Sequence, residues 1–317
     1  MGKDWLAGYG FAIDDQPAPA KTLTGVFTGA FMSVDLDAIH ADLPPLPQTI
    51  RMVVSDMDGT LLTSDKTIAP STRAMVRVLQ ERGIPLCLAS ARPPAAMVPY
   101  IEQLGLTGQN AGFNGGIIFK PDGTTSVSRV LSPDVLSIVH DMLHLHGIET
   151  WFLRQSYWMV RDAYTPFVQH EQGITGLIPH QVPDLRKEFE GIGKVMGVSS
   201  DTSLLQDIET ELGAMLQGDA SVRRSSDILL DVTPALANKG EAIRELALAH
   251  GIAPHEVACL GDAHNDLPMF SVAGLGIAMG QAEDDVKAAA QVLTDTNERD
   301  GWAKAVERYI LPRVPNP

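Results

Sequence analysis

Cysteine is nearly missing from this chain: 317 residues hold two, Cys87 and Cys259. Two thiols make no disulfide framework. Both sit in apolar runs, Ile84 to Ala89 and Val257 to Leu260, and read as core thiols. No apolar run reaches the ~18 residues that span a bilayer, so no membrane segment is expected. Basic residues are scarce, 24 against 39 acidic, giving a net charge of −15. A nucleic-acid binder would show a basic stripe, and this composition argues against one. An anionic substrate stays open, because a bound cation can invert the local field. The first 30 residues carry Lys3, Asp14 and Asp15 but not the charged, apolar and cleavage-site order of a signal peptide. The expectation is a soluble cytoplasmic protein.

At this length, and with 44% hydrophobic residues, the chain can build one large domain or two ordinary ones. Residues 1–48 carry Gly, Pro, Ala and Thr without periodicity and end in Leu43-Pro44-Pro45-Leu46-Pro47. They read as an irregular N-terminal extension with a stiff proline linker. Met32 and Met52 are alternative chain starts.

From Thr49 the pattern is α/β. Ile50 to Ser55 and Ile84 to Ala89 read as buried strands, and Ala111 to Asn114 as a third. Ser71 to Arg82 reads as a helix with Ser71 as N-cap and Gly83 closing it, and Pro93 opens another. The style then changes. Gly116 to Val130 reads as a hairpin around Pro121-Asp122-Gly123, followed by a helix from Pro133 to His146 and a run of strands interrupted by a helix from Leu204 to Leu216. From Lys239 the first pattern returns, with a strand at Glu256 to Leu260 and another at Gly274 to Ala278. The fold class expected is α/β: a doubly wound parallel-sheet, Rossmann-like core (49–115 and 233–317) with an inserted α+β cap domain (116–232). The insert is of domain size.

Two acidic clusters end two of the core strands. Asp56 and Asp58 follow the first, in Ser55-Asp56-Met57-Asp58-Gly59-Thr60. Asp262 and Asp266 follow the strand at Val257 to Leu260, in Gly261-Asp262-Ala263-His264-Asn265-Asp266. Acidic residues also cap helix N-termini after strands, but two clusters at matching strand ends favour a site. If the two strands are neighbours, four carboxylates face one crevice at the carboxyl edge of the sheet, where open α/β folds bind ligands. Hard carboxylate oxygens with room for water suit Mg2+. A carboxylate beside such an ion can attack phosphorus, and a second carboxyl two residues on can act as acid and base. Residues i and i+2 of an extended segment point to one side, which brings Asp56 and Asp58 to one substrate. Ser90 and the amide beside it at Ala91, Lys239 and Asn265 are candidate phosphate donors. Each also has an ordinary reading: a helix N-cap, an exposed lysine, a loop residue.

Taken in order, these pieces resemble the haloacid dehalogenase superfamily, and within it the Cof-type (subfamily IIB) phosphatases with a large cap inserted after the second motif. The resemblance runs from about Met52 to the C-terminus. Asp56-Met57-Asp58-Gly59-Thr60 is similar to the first motif and implies Asp56 as nucleophile and Asp58 as acid/base. Ser90-Ala91-Arg92 is similar to the second, with alanine where glycine is usual. Asn114-Gly115 resembles the pair that leads into the cap, Lys239-Gly240 the third motif, and Gly261 to Phe270 the fourth. The resemblance implies Mg2+ held by Asp56, the backbone carbonyl of Asp58, and Asp262, with Asp266 supporting the metal shell or binding Lys239. Residues 1–48 have no counterpart in it.

Asn114, Gly115, Arg154 and Arg161 are candidate substrate contacts, as are Trp151, Tyr157, Trp158, Arg223 and Arg224 in the cap. Arginine suits phosphate and sugar oxygens; the ordinary reading is packed aromatics and solvated arginines. His140 and His144, four apart on a helix, have a zinc spacing but no third ligand in view, and they read as exposed. His264 is a further candidate substrate contact. The function expected is a Mg2+-dependent phosphatase acting on small phosphorylated metabolites through an aspartyl phosphate. Sugar phosphates come first among its substrates, then nucleotide, flavin and pyridoxal phosphates. A phosphomutase of the same fold and a catalytically silent binding or regulatory protein are the alternatives.

Overall fold

The structure is a computed structural model that describes residues 46–155 and 157–315. The irregular extension expected over 1–48 falls outside the described residues except for its last three. In chain order the regular elements begin with β1 (Met52–Ser55), α1 (Pro70–Glu81), β2 (Leu86–Leu88), α2 (Pro94–Gln103), β3 (Asn110–Gly112), β4 (Ile117–Phe119) and β5 (Thr125–Ser128). Next come α3 (Pro133–Leu145), β6 (Glu149–Leu153), β7 (Trp158–Val160), α4 (Pro166–Thr175), β8 (Pro179–Gln181), β9 (Lys194–Val198), α5 (Thr202–Met215), β10 (Ala220–Ser226) and β11 (Leu229–Pro234). The chain closes with α6 (Lys239–His250), β12 (Val257–Gly261), α7 (Leu267–Val272), β13 (Leu275–Ala278), α8 (Asp284–Ala288), β14 (Val292–Leu293) and α9 (Gly301–Ala305).

Every residue of β1, β2, β12 and β13 is buried. Such continuous burial is what a parallel sheet covered on both faces requires. The order is β14-β13-β12-β1-β2, all parallel. The chain leaves β1 toward β2 on one side and returns to its other side only at β12, more than 200 residues later, with Val54 opposite Cys259. The strand order therefore reverses between β1 and β12, which is the crevice where this kind of sheet takes its ligand. Cys87 and Cys259 are free and buried in these strands, and burial pushes the Cys87 thiol up to about 12.

The inserted segment builds a second sheet, β10-β11-β9-β6-β7-β8, antiparallel except for β7 with β8. One face packs under α3 and α5, with Phe152, Val195, Leu230 and Val232 against Leu136, Val139, Leu205 and Leu212. The other face, with Trp151, Leu153, Trp158 and Met196, packs in one cluster with core residues such as Val53, Leu88 and Met97. The β4–β5 hairpin pairs with β3, not with this sheet, and β3 takes a parallel bridge from Ala111 to Ala89. The hairpin's Ile118 is buried with Val54, Ala89 and Ala242, so its apolar side covers the core.

Several boundaries differ from the sequence expectation, each for a local reason. Helix α1 starts at Pro70 with Ala69 in the capping position, and Ser71 instead donates its hydroxyl to Asp300. Proline in the first turn supplies a preset φ and makes a side-chain cap dispensable. The same holds for α2, which starts at Pro94. At the C-terminal end, α9 is followed by a π turn over Val306–Ile310. Helix α4 and strand β8 were not anticipated; their polar, weakly periodic sequence carries little signal. Among the described residues no helix is long and apolar enough to cross a membrane.

Trp302 anchors the C-terminal segment beneath the carboxyl end of β1. It is 1% exposed and donates Nε1–H to Ser55 Oγ at 2.9 Å, whose own hydroxyl donates to the Asp56 carbonyl at 2.7 Å. Trp302→Ala is expected to lower stability by about 3–5 kcal/mol, read from the urea midpoint. A loss under about 1 kcal/mol would show that this segment is not part of the cooperative core.

Candidate active site

β1 and β12 end side by side, so the loops that follow them meet. Asp56, directly after β1, is 6% exposed, and its amide donates to the Leu260 carbonyl at 2.9 Å. Lys239, the first residue of α6, is fully buried. Its Nζ lies 2.5 Å from Asp56 Oδ1 and 2.6 Å from Asp266 Oδ1. Burial alone would lower the Lys239 pKa; the charges of Asp266 and Asp56 outweigh it and hold the ammonium well above its ordinary value. Asp56 is pushed up by burial and by the like charges of Asp266 and Asp262, against the pull of Lys239. Burial and Asp266 likewise raise Asp262. Negative charge at this point exceeds what one lysine offsets.

Asp266 bonds protein donors with both oxygens. Oδ1 takes Lys239, and Oδ2 accepts the amides of Asp262 and Ala263 at 2.8 and 2.9 Å. It therefore shapes the β12 loop and holds Lys239, the second of the two roles the motif implied. Asp262 Oδ1 accepts the Thr60 hydroxyl at 2.8 Å. Oxygens of Asp56, Asp262 and Asp266 come within 4.8 Å of one another. Gly59 leaves this space clear. Its φ is +77°, and a Cβ there would lie 2.2 Å from Asp262 Oδ2. A convergent set of hard oxygens, excess negative charge and a wall that tolerates no side chain together fit a small divalent cation.

Asp58 lies apart from that group and is half-buried. Arg92 Nε reaches its Oδ2 at 2.6 Å, Arg92 Nη2 its Oδ1 at 2.8 Å, and Lys66 Nζ the same Oδ1 at 2.7 Å. Burial would raise the Asp58 carboxyl, but Arg92 and then Lys66 pull it down to about 2. Neither cation stood among the site residues expected from sequence. Arg92 was visible only as the end of Ser90-Ala91-Arg92, and Lys66 had no signal, since it reaches Asp58 from a turn at φ +57°.

The remaining candidates divide. Ser90 is buried, and its Oγ accepts the Arg92 amide at 3.1 Å, so it shapes its own loop and does not cap α2. Ala91 is half-exposed beside it. Asn265 Nδ2 donates to Asn114 Oδ1 at 3.1 Å, which joins the β12 loop to the segment after β3. Gly115, at φ +97°, packs on the start of α6, where a Cβ would lie 2.7 Å from the Asn238 carbonyl. Arg154 is held by Glu188 through its carbonyl and carboxylate, both at 3.1 Å. Arg161 is exposed after β7. Tyr157 lies tilted against His180, ring centroids 4.9 Å apart, and Arg224 pairs with Glu209. His140 and His144 stack at 5.9 Å, with His140 buried against Phe152 and Phe189, not exposed as expected. His264 pairs with Asp285 at 2.7 Å on the surface.

Comparison with known proteins agrees with this geometry. The family model of the haloacid dehalogenase-like hydrolases matches residues 53–306. A haloacid dehalogenase-like hydrolase from Bacteroides thetaiotaomicron has the same fold, with a TM-score of 0.76 and 31% identity over 82% of this chain and 99% of that one. The HMP-PP phosphatase of Serratia proteamaculans is 29% identical over 242 residues, 75% of this chain and 86% of its own. The 5-amino-6-(5-phospho-D-ribitylamino)uracil phosphatase YcsE of Bacillus subtilis is 26% identical over 263 residues, 83% of this chain and 96% of its own. The chain belongs to the haloacid dehalogenase-like hydrolases, and within that family it is a phosphoric monoester hydrolase.

Two outcomes test the site. Gly59→Ala should lower affinity for Mg2+ at least tenfold in a calorimetric titration while the circular dichroism spectrum stays native; unchanged affinity would remove the cation from this crevice. The Asp58 carboxyl is depressed by folding, so its stabilisation is present above its unfolded value near ~4 and is lost as pH falls through about 2. The stability difference between the wild type and Asp58→Asn should therefore be full at neutral pH and shrink from about pH 4 downward in urea titrations. A difference that stays constant over that range would show that the Arg92 and Lys66 contacts do not persist in solution.

Proposed function

We propose that the chain is a Mg2+-dependent phosphatase of small phosphorylated metabolites that works through a phosphoaspartate on Asp56. The observation that carries this reading is the meeting of Asp56, Lys239 and Asp262 at the point where the strand order reverses. In this reading Asp56, Asp262 and the backbone carbonyl of Asp58 hold Mg2+, and Asp266 steadies the loop around it. The ion supplies positive charge that lets an anionic nucleophile approach an anionic phosphoryl group.

The steps follow from the side chains. An Asp56 oxygen attacks phosphorus as the bond from phosphorus to the ester oxygen breaks. Asp58 gives its proton to the departing oxygen. Water then attacks the phosphorus of phosphoaspartate, passes a proton to Asp58, and leaves inorganic phosphate and a restored Asp56. Clamped by Arg92 and Lys66, Asp58 is ionised, the form that takes the proton in the second step; to act as the acid in the first it must leave that clamp and take up a proton from solvent before the ester bond breaks. Lys239 uses two of its three protons on Asp56 and Asp266, which leaves one for a phosphoryl oxygen. The Ser90 hydroxyl, the Ala91 amide and Asn265 complete the phosphate donors.

The chemistry falls to the core, 49–115 and 233–317. The insert, 116–232, is the cap that excludes water and recognises the leaving group, although its first hairpin pairs with β3. The names of the two relatives, a phosphatase of a ribitylamino-uracil phosphate and one of HMP-PP, support small phosphorylated metabolites as substrates. Two free buried thiols suit a reducing cytoplasm.

Asp56→Asn should lower kcat on the order of 10^4-fold or more with the fold intact. Chelation should abolish turnover, Mg2+ should restore it, and hydrolysis in 18O water should label the released phosphate. Near-normal turnover by Asp56→Asn would remove Asp56 as nucleophile.

A further inference from the structure

Two cations hold Asp58, and they are held unequally. Arg92 is 8% exposed and places one nitrogen on each carboxylate oxygen. Lys66 is 40% exposed and reaches one of them. A half-exposed lysine pair is weak by itself, because a long side chain gives up rotamer freedom to make it. In the reaction proposed above, Asp58 also leaves both cations to take up a proton, so their places cannot depend on its carboxylate.

The side chain that meets both cations is Tyr100, on α2. Its hydroxyl donates to the Lys66 carbonyl at 3.1 Å. The Arg92 guanidinium lies over its ring, 5.3 Å from the centroid, the geometry of a cation–π contact. The sequence of α2 puts it there. Tyr100 follows Ala96 by four residues and Met97 by three, and both of these are buried, so the three share one face of the helix. The ring packs against the core, and its hydroxyl reaches past the core to the turn over Thr63–Thr67.

That turn needs a support. Lys66 stands at φ +57°, a left-handed conformation that a side chain disfavours. The Lys66 amide donates to the Thr63 carbonyl at 2.9 Å, and the Thr63 amide to the Thr67 carbonyl at 2.9 Å. Both bonds are internal to the turn, whereas the bond from Tyr100 ties the Lys66 backbone to α2. On its other side Lys66 lines a cavity of about 630 Å3, together with Arg73, Tyr100, Gly173 and Gly176, so no packed wall fixes the lysine there.

Resting on the reading of Asp58 as acid and base, we propose that Tyr100 is a positioning residue for the proton transfer: its ring seats Arg92 and its hydroxyl seats Lys66. The proton passes from the Asp58 carboxyl to the ester oxygen as the bond from that oxygen to phosphorus breaks. The charge this leaves on Asp58 meets two cations already in place, which is where preorganised charge lowers a barrier. Tyr100 exchanges no proton itself.

The test compares phenyl phosphate with 2,4-dinitrophenyl phosphate by kcat/KM under saturating Mg2+, which reports the formation of phosphoaspartate. Phenolate needs a proton to depart; dinitrophenolate leaves without one. Tyr100→Phe removes the hydroxyl and keeps the ring, Tyr100→Leu removes both, and Asp58→Ala is the reference. On phenyl phosphate the expected loss is about tenfold in Tyr100→Phe and on the order of 100-fold in Tyr100→Leu. On the dinitrophenyl ester both should lose less than about threefold, with native circular dichroism spectra. If Asp58→Ala slows phenyl phosphate selectively while the Tyr100 variants slow both esters equally, or neither, the role of Tyr100 is overturned and Asp58 keeps its own. If Asp58→Ala shows no selective loss, Asp58 is not the acid, and the role of Tyr100 goes with it.

Discussion

One buried ammonium ties the catalytic edge together. Lys239 is fully buried, and its charge is tolerable because Asp56 and Asp266 both touch it. These three residues come from three separate segments, and the lysine and Asp56 stand 183 positions apart. The pairing fixes where α6 begins relative to β1 and β12. It also explains Asp266, whose other oxygen gathers the amides that set Asp262 in place. With Asp262 placed, Thr60 and Gly59 follow, since one donates to its carboxylate and the other makes room for it.

The site is divided between two kinds of environment. At the carboxyl ends of β1 and β12 there is excess negative charge, suited to a cation and to phosphoryl chemistry. Across the loop at Ala91 to Pro93 the surroundings turn aromatic and aliphatic, with a single buried ion pair. Arg92 stands at the boundary. It lines the second environment and holds Asp58 at the edge of the first. In the reaction proposed above, a group that donates and accepts protons needs a position next to both the phosphorus and the departing oxygen.

The candidate carboxylates Asp56, Asp58, Asp262 and Asp266 were legible in sequence because their signals are short and local, whereas Lys239 stood out only through the family resemblance. A buried apolar run ending in Asp56-Met57-Asp58 names a strand edge without any knowledge of its neighbours. The inserted segment was less legible. Arg154 and Arg161 looked like substrate contacts on charge alone, yet one is held by Glu188 and the other is exposed. Lys194 opens β9, and its register, opposite Leu153 and one row from Asp231, turns it inward. Ser71 and Ser90 looked like helix caps because serine favours that position. The proline beside each start of helix removed the need, and both hydroxyls found other partners.

What the amino-acid sequence determined by itself is therefore which carboxylates end which strands, and that a parallel sheet carries them. Periodicity and strand ends are properties of a few adjacent residues, and they survive without knowledge of the rest of the chain. The tertiary structure alone decided that β1 and β12 are neighbours, that Arg92 and Lys66 grip Asp58, and that one face of the second sheet looks at that grip. Those facts depend on strand order and register, and a single step in register would turn Trp158, Lys194 and Asp231 to the opposite side.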